Sequence, residues 1–171
     1  AYAEAERSFD RLNHVYGNGR MENINFFLNS GYTLNNGVEL YAFGGVQERE
    51  AESPGFYRRA SDSRNVPEIY PGGFLPVIGG DVSDYSVGGG VRGEAGGWDY
   101  DVSAVYGSNE LDYSVTNSLN ASLGPDSQTS FDAGSLAFDQ ITLNADIVKT
   151  FDNLLPGETS LAFGAEYRDE T

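Results

Sequence analysis

Asp99 and Asp101 are the residues whose type and spacing most readily suggest chemistry. On a β-strand, side chains two positions apart project from the same face, so this pair would stand together as a general acid and base must. The partners for such chemistry are scarce. The chain has no cysteine and one histidine, His14. That leaves no thiolate centre, and with His14 alone there is no credible serine–histidine–carboxylate triad around Ser61-Asp62-Ser63 or Asp126-Ser127. The Gly88-Gly89-Gly90 run lacks the Lys-Ser/Thr of a phosphate loop and lies within a strand pattern, where glycine serves bending or close backbone approach. The residue types point away from an enzyme and to no metal or cofactor, and the carboxylates read as the lining of a wet surface.

The element that positions Asp99 and Asp101 is a hairpin, Asp84–Ser108. Its first arm, Asp84–Glu94, sets Tyr85, Val87, Gly89, Val91 and Gly93 against Ser86, Gly88, Gly90, Arg92 and Glu94. Its second arm, Trp98–Ser108 continuing to Val115, sets Trp98, Tyr100, Val102, Ala104 and Tyr106 against Asp99, Asp101, Ser103, Val105 and Gly107. Strict alternation predicts strands with two chemically different faces, joined by a tight turn at Gly96-Gly97. Each arm is about 10–11 residues, near what a tilted strand needs to cross a bilayer. An apolar face outward to lipid and a polar face inward to water is the wall pattern of a transmembrane β-barrel.

Four more strands follow from the same reading. Asn23–Tyr32 places Ile24, Phe26, Leu28 and Tyr32 on one parity, and an Asn-Gly turn at Asn36-Gly37 leads into Gly37–Arg49. The facing of that second strand is open, with Val38, Leu40, Ala42 and Val46 favoured outward, because Glu39 is costly at mid-depth against lipid. Gln140–Phe151 alternates Ile141, Leu143, Ala145 and Ile147 with Thr142, Asn144, Asp146 and Val148. A turn at Asp152–Gly157 precedes Thr159–Glu170, where Leu161, Phe163, Ala165 and Tyr167 oppose Gly164, Glu166 and Arg168. The segments 50–82 and 116–139 lose periodicity and read as long loops, the first holding four of the six prolines. A short helix over Ala3–Leu12 is a further expectation.

The fold class expected is all-β: an antiparallel up-and-down meander of about six long strands, part of a transmembrane barrel. Short and long connections alternate, as they do where turns are periplasmic and loops extracellular. Tyr32, Trp98 and Phe151, close to the short turns, would form an aromatic girdle at the membrane interface. Arg92, Glu94, Asp99, Asp101, Asp146, Glu166 and Arg168 would face the lumen, with Arg92 a natural partner for the aspartates. Within the first long loop, Phe56, Tyr57, Tyr70 and Phe74 with Arg58, Arg59 and Arg64 could form an aromatic and cationic ligand mouth, or pack the loop upon itself.

Composition narrows the function classes. The 171 residues suffice for one domain, and the formal net charge of −16 argues strongly against nucleic-acid binding, which needs clustered cations. The charge fits a solvated acidic loop surface or a vestibule that attracts cations. No apolar run approaches the roughly 20 residues of a membrane helix, which leaves a barrel open because strands show only alternate residues to lipid. The N-terminal AYAEAERSFDRL has neither the basic region nor the apolar core of a signal peptide.

Several collinear segments across residues 16–171 resemble the barrel region of TonB-dependent outer-membrane receptors. They are NINFFLNSGYTLNNGVELYAFGG, SRNVPEIYPGGFLP, GGWDYDVSAVYGSNELDYSV, NSLNASLGP and LAFGAEYRDE. The resemblance implies a barrel of about 22 strands in the bacterial outer membrane, filled by a plug domain and coupled to the inner-membrane TonB complex. It implies energised uptake of a scarce ligand, such as a ferric siderophore, haem, a cobalamin or an oligosaccharide. With no plug-like sequence, no C-terminal aromatic and fewer strands than the roughly eight of a small barrel, the expectation is three hairpins from a larger wall. Two other readings stay open: a passive porin-type channel segment, and a soluble acidic β-domain with a carbohydrate-binding or structural role.

Overall fold

The computed structural model describes residues 2–7, 11–15, 17–155 and 157–171. A helix α1 (Tyr2–Arg7) and a 3-10 turn (Arg11–Asn13) precede eight strands. These are β1 (Arg20–Thr33), β2 (Glu39–Pro54), β3 (Arg58–Arg59), β4 (Gly73–Phe74), β5 (Val77–Ala95), β6 (Trp98–Thr116), β7 (Phe131–Leu155) and β8 (Gly157–Glu170). Six of them form one sheet in the order β1-β2-β5-β6-β7-β8, while β3 and β4 pair separately. The sheet is an open antiparallel meander with β1 and β8 at its edges. Of the helix expected over Ala3–Leu12, the part within Tyr2–Arg7 is α-helical and Arg11–Asn13 is a 3-10 turn, while residues 8–10 lie outside the described residues.

The strands are longer than the hydrophobic alternation predicts. β2 runs to Pro54 rather than Arg49, β5 starts at Val77 rather than Asp84, and β7 starts at Phe131 rather than Gln140. Backbone ladder bonds continue regardless of side-chain polarity, so these extensions carry Glu, Asp and Ser and leave no hydrophobic period to read. Glu48, Glu50 and Glu52 are exposed while Gln47, Arg49 and Ala51 are half-buried, which is the same pleat continued in polar residues. The long loops correspondingly shrink to 55–76 and 117–130. The first is not structureless: it contains the β3–β4 pair and a series of turns.

Three short turns close the hairpins. Leu34 N–H donates to the Val38 carbonyl at 2.7 Å, with Gly37 at φ +84°. Gly96 and Gly97 have φ of +63° and +76°, the positive pair that a two-residue hairpin matched to strand twist requires. The third turn joins β7 to β8, whose register pairs Ile147 with Phe163 and Leu143 with Tyr167 and shifts between Phe151 and Leu155.

The chain divides into two compact units. Ala1–Ile24, Glu48–Val82 and Leu111–Leu136 form one, which holds both long connections. Asn25–Gln47, Ser83–Glu110 and Ala137–Thr171 form the other, which holds all three short turns.

In the second unit the two faces of the sheet have different chemistry. One carries Phe26, Leu28, Leu40, Val46, Val87, Val102, Leu143, Ile147 and Phe163, all exposed. The other carries Glu39, Tyr41, Arg92 and Asp101, which are joined by hydrogen bonds. Leu40, Ala42 and Val46 thus lie opposite the polar network, and Glu39 lies within it. Among the described residues the buried apolar side chains are Ala60, Val66 and Phe74, all in the first unit.

The glycine run at 88–90 admits rings from the neighbouring strand. A Cβ at Gly88 would meet Phe43 Cζ at 2.5 Å, and one at Gly90 would meet the Tyr41 ring at 2.5 Å and the Val102 carbonyl at 2.7 Å. Gly90→Ala should therefore displace Tyr41 and destabilise the sheet by about 1–3 kcal/mol, read as a lower denaturant midpoint. Gly107→Ala, whose Cβ meets only the Tyr85 carbonyl at 3.8 Å, should leave the midpoint unchanged; equal effects would remove the steric account.

Candidate functional site: a cleft in the unit of the long connections

The first long connection is built inward from its turns. Asp62 N–H donates to the Arg59 carbonyl and Asn65 N–H to the Asp62 carbonyl, both at 2.9 Å, and Tyr70 N–H donates to the Val66 carbonyl at 3.0 Å. Asn65 Nδ2 ties the segment across its middle, donating to the Ala60 and Tyr70 carbonyls at 3.2 and 3.0 Å. Within this segment Ala60, Val66 and Phe74 are buried. Arg58 then pairs with Phe74 and Arg59 with Gly73 across β3 and β4. Gly73 has φ +90°, and a Cβ there would lie 2.2 Å from the Arg58 carbonyl, so only glycine fits this crossing.

The second long connection is shaped by polar side chains. Ser127 is buried; its hydroxyl accepts from Asn120 N–H at 2.7 Å and donates to the Gln128 carbonyl at 2.8 Å. Asn120 Oδ1 accepts from Ser122 N–H and opens the 3-10 turns of Ala121–Asp126. The two connections join where Asn117 Nδ2 donates to the Leu75 carbonyl at 2.7 Å and Tyr70 Oη to the Ser118 carbonyl at 3.4 Å.

Between them lies a cleft of about 650 Å³, with walls that include Phe56, Phe74, Ile78, Val115, Leu119 and Phe131. Arg58 and Arg64 contribute its cationic groups, and Ser118 and Asn120 its neutral polar ones. That volume is within the usual range for small-molecule sites, as is the combination of apolar walls with few polar groups. Arg64 makes a bidentate pair with Asp62, Nε at 2.9 Å and Nη2 at 2.8 Å. The Arg64 guanidinium, with the Arg64 backbone N–H, holds the Asp62 carboxyl well below the usual carboxylate range, and Arg58 adds a smaller attraction. Among the described residues, no three His, Cys, Asp or Glu side chains are grouped as metal ligands would be.

The residues expected at a ligand mouth divide into two sets. Phe56, Arg58, Arg64 and Phe74 line the cleft. Tyr70 stacks behind Phe74 at 4.8 Å between centroids, and Tyr57 donates to the Gly72 carbonyl at 2.8 Å with its ring 5.4 Å from that of His14. Arg59, exposed on β3, lies outside the lining. Sequence reading missed the wall supplied by Ile78 and residues 115–131, because Ser- and Asn-rich text gives no sign of which apolar residues will be gathered.

On the polar face of the second unit, Arg92 is held by Glu39 through two bonds of 3.1 and 2.8 Å and lies 5.4 Å from the Tyr41 ring. Tyr41 donates to Asp101 at 2.6 Å. The expected Arg92–aspartate pairing is thus corrected: Glu39 takes the guanidinium, and Asp101 is bonded by a tyrosine. Asp99 and Glu94 are exposed. Glu166 and Arg168 pair at 2.9 Å, and Asp146 stands opposite Gly164. Elsewhere on this face Gln47 and Asn109 both donate to Asp84.

Of the aromatics expected at the interface, Trp98 lies 6.3 Å from the Phe163 ring, and Lys149 Nζ lies 5.5 Å from both Trp98 and Phe151. Tyr32 is exposed at the end of β1. Lys149 and Phe163 were not anticipated in this group. Compared with protein-family models and with curated proteins, the chain matches none.

Because Asp62 holds its proton more weakly in the folded loop than in the unfolded chain, its stabilising contribution is complete above about pH 4 and fades as pH falls further. A carboxyl-carbon NMR titration should place its midpoint well below the ordinary value of about 3.9. Arg64→Gln should move it back toward that value. An unshifted midpoint in the unaltered protein would mean that the pair does not form in solution.

Proposed function

We propose that this chain forms part of the wall of a bacterial outer-membrane β-barrel of the TonB-dependent receptor kind, serving energised uptake of a scarce small-molecule ligand. The observation that carries the proposal is a long-stranded antiparallel meander on one face of which Phe26, Leu28, Leu40, Val46, Val87, Val102, Leu143, Ile147 and Phe163 are exposed. The grouping of the short turns in one unit and the long connections in the other adds to it. Such a face in water is a large liability; in a bilayer it is in its own solvent.

The dimensions agree. On β7 the apolar-face parity runs from Asp139 through Ile141, Leu143, Ala145 and Ile147 to Lys149. Ten residues of strand span about 34 Å, and a tilt of about 40° reduces this to about 26 Å, against an apolar band of about 25 Å in such barrels. The opposite face, with its Arg92–Glu39 and Tyr41–Asp101 pairs, suits a wet lumen and contact with a plug domain. The cleft of Phe56, Arg58, Arg64 and Phe74, set in the long connections, favours a receptor with a ligand mouth over a passive channel. The remaining barrel strands, the plug and the TonB complex are the partners this reading requires.

Prepared without detergent, the full chain should aggregate through its apolar face and its two open edges. Sedimentation and circular dichroism should find a β-signal recovered only in detergent or lipid. A monodisperse monomer with a cooperative melt in plain buffer would replace this reading with a free-standing acidic β-domain.

A further inference from the structure

Lys149 is the only lysine in the chain, and it sits where a cation is least expected. It shares the apolar-face parity of β7 with Ile147, and its register partner on β8 is Leu161. Its ammonium lies against the Trp98 and Phe151 rings, 5.5 Å from each centroid, and donates to the Gly96 carbonyl at 3.2 Å. None of the ion pairs among the described residues includes it. An ammonium has three donors, and among the described residues the Gly96 carbonyl is the one hydrogen-bond acceptor that meets them.

The charge around it is sorted along the strands. On the apolar-face parity, carboxylates stand at the ends remote from the short turns: Glu48 on β2, Asp81 on β5, Glu110 on β6, Asp139 on β7 and Asp169 on β8. Toward the short turns, the same parity carries Tyr32, Leu40, Gly93 and Trp98, none of them charged. In a chain of net charge −16, Lys149 is therefore the cation at the short-turn end of this parity, while Arg20 stands at the remote end of β1 and is paired with Glu22 at 2.6 Å. Tryptophan prefers the headgroup level of a bilayer, and a lysine stem lies along apolar surface while its head reaches the polar layer.

We propose that Lys149, flanked by Trp98 and Phe151, docks the phosphate of an anionic phospholipid headgroup at the short-turn rim of the apolar face. The inference rests on the reading that this face lies in a bilayer. It adds a lipid partner of defined charge and a residue that recognises it. A single lysine near a membrane surface gives about a fivefold preference for anionic lipid, which weakens as salt is added.

Trp98 is the only tryptophan and reports on the site directly. The full chain is refolded into phosphatidylcholine vesicles containing a minor share of phosphatidylglycerol, with one lipid or the other brominated. Brominated phosphatidylglycerol should quench Trp98 as though enriched about fivefold beside it. Lys149→Gln should abolish the enrichment and Lys149→Arg should retain it. Equal quenching per mole by the two lipids, or enrichment that survives Lys149→Gln, would overturn the lysine's role while leaving the bilayer reading intact. No quenching by either lipid would overturn both.

Discussion

The constraint on which this protein depends is that its sheet buries almost nothing of its own. A globular β-domain stabilises its strands by packing a second layer on one face. Here both faces of the six-stranded sheet stay accessible, and the buried apolar residues Ala60, Val66 and Phe74 belong to a connection rather than to the sheet. Cohesion within the wall comes from the backbone ladder and from contacts between neighbouring strands. The free energy that globular proteins draw from a core must come from the medium against the apolar face. On the proposed reading a bilayer would supply that medium, and further strands would pair with the open edges of β1 and β8.

Given that constraint, the polar face specifies how the strands align. Because side chains alternate, a slip of one residue would carry every side chain to the other face. The Glu39–Arg92 fork, the Tyr41–Asp101 bond and the seating of Phe43 and Tyr41 over Gly88 and Gly90 each require one alignment of β2, β5 and β6. The carboxylates and glycines that invite a chemical reading thus act as alignment devices. The exposure of the Arg92–Glu39 pair keeps its energy small, but a fixed geometry repeated over adjacent strands specifies register.

The long connections follow a different logic. They build hydrogen-bonded turns, so that 55–76 is an ordered segment in which Ala60, Val66 and Phe74 are buried. Backbone carbonyls of these segments accept from Asn65, Asn117 and Tyr57. That rigidity holds Arg58 and Arg64 beside an apolar cleft, where mobile loops would only bring them near it. A site of this kind on rigid connections suits ligand capture.

Much of the wall was legible in the sequence. Alternation around Trp98–Tyr106 and Ile141–Ile147 marks the strands and their two faces, because a pleated strand imposes a period of two that apolar residues make visible. Asn-Gly and Gly-Gly mark the hairpin turns, because only certain residues tolerate positive φ. The polar extensions of β2, β5 and β7 were hidden because a hydrogen-bonded ladder leaves no mark on polar side chains. Tertiary structure alone decided that Glu39 rather than an aspartate holds Arg92, that Lys149 meets Trp98 and Phe151, and that the wall from Val115 to Phe131 faces Phe56 and Phe74. Apart from Lys149 and Phe151, neighbours on one face of β7, each of these pairs residues tens of positions apart, and their meeting depends on strand register and loop closure, which no local pattern encodes.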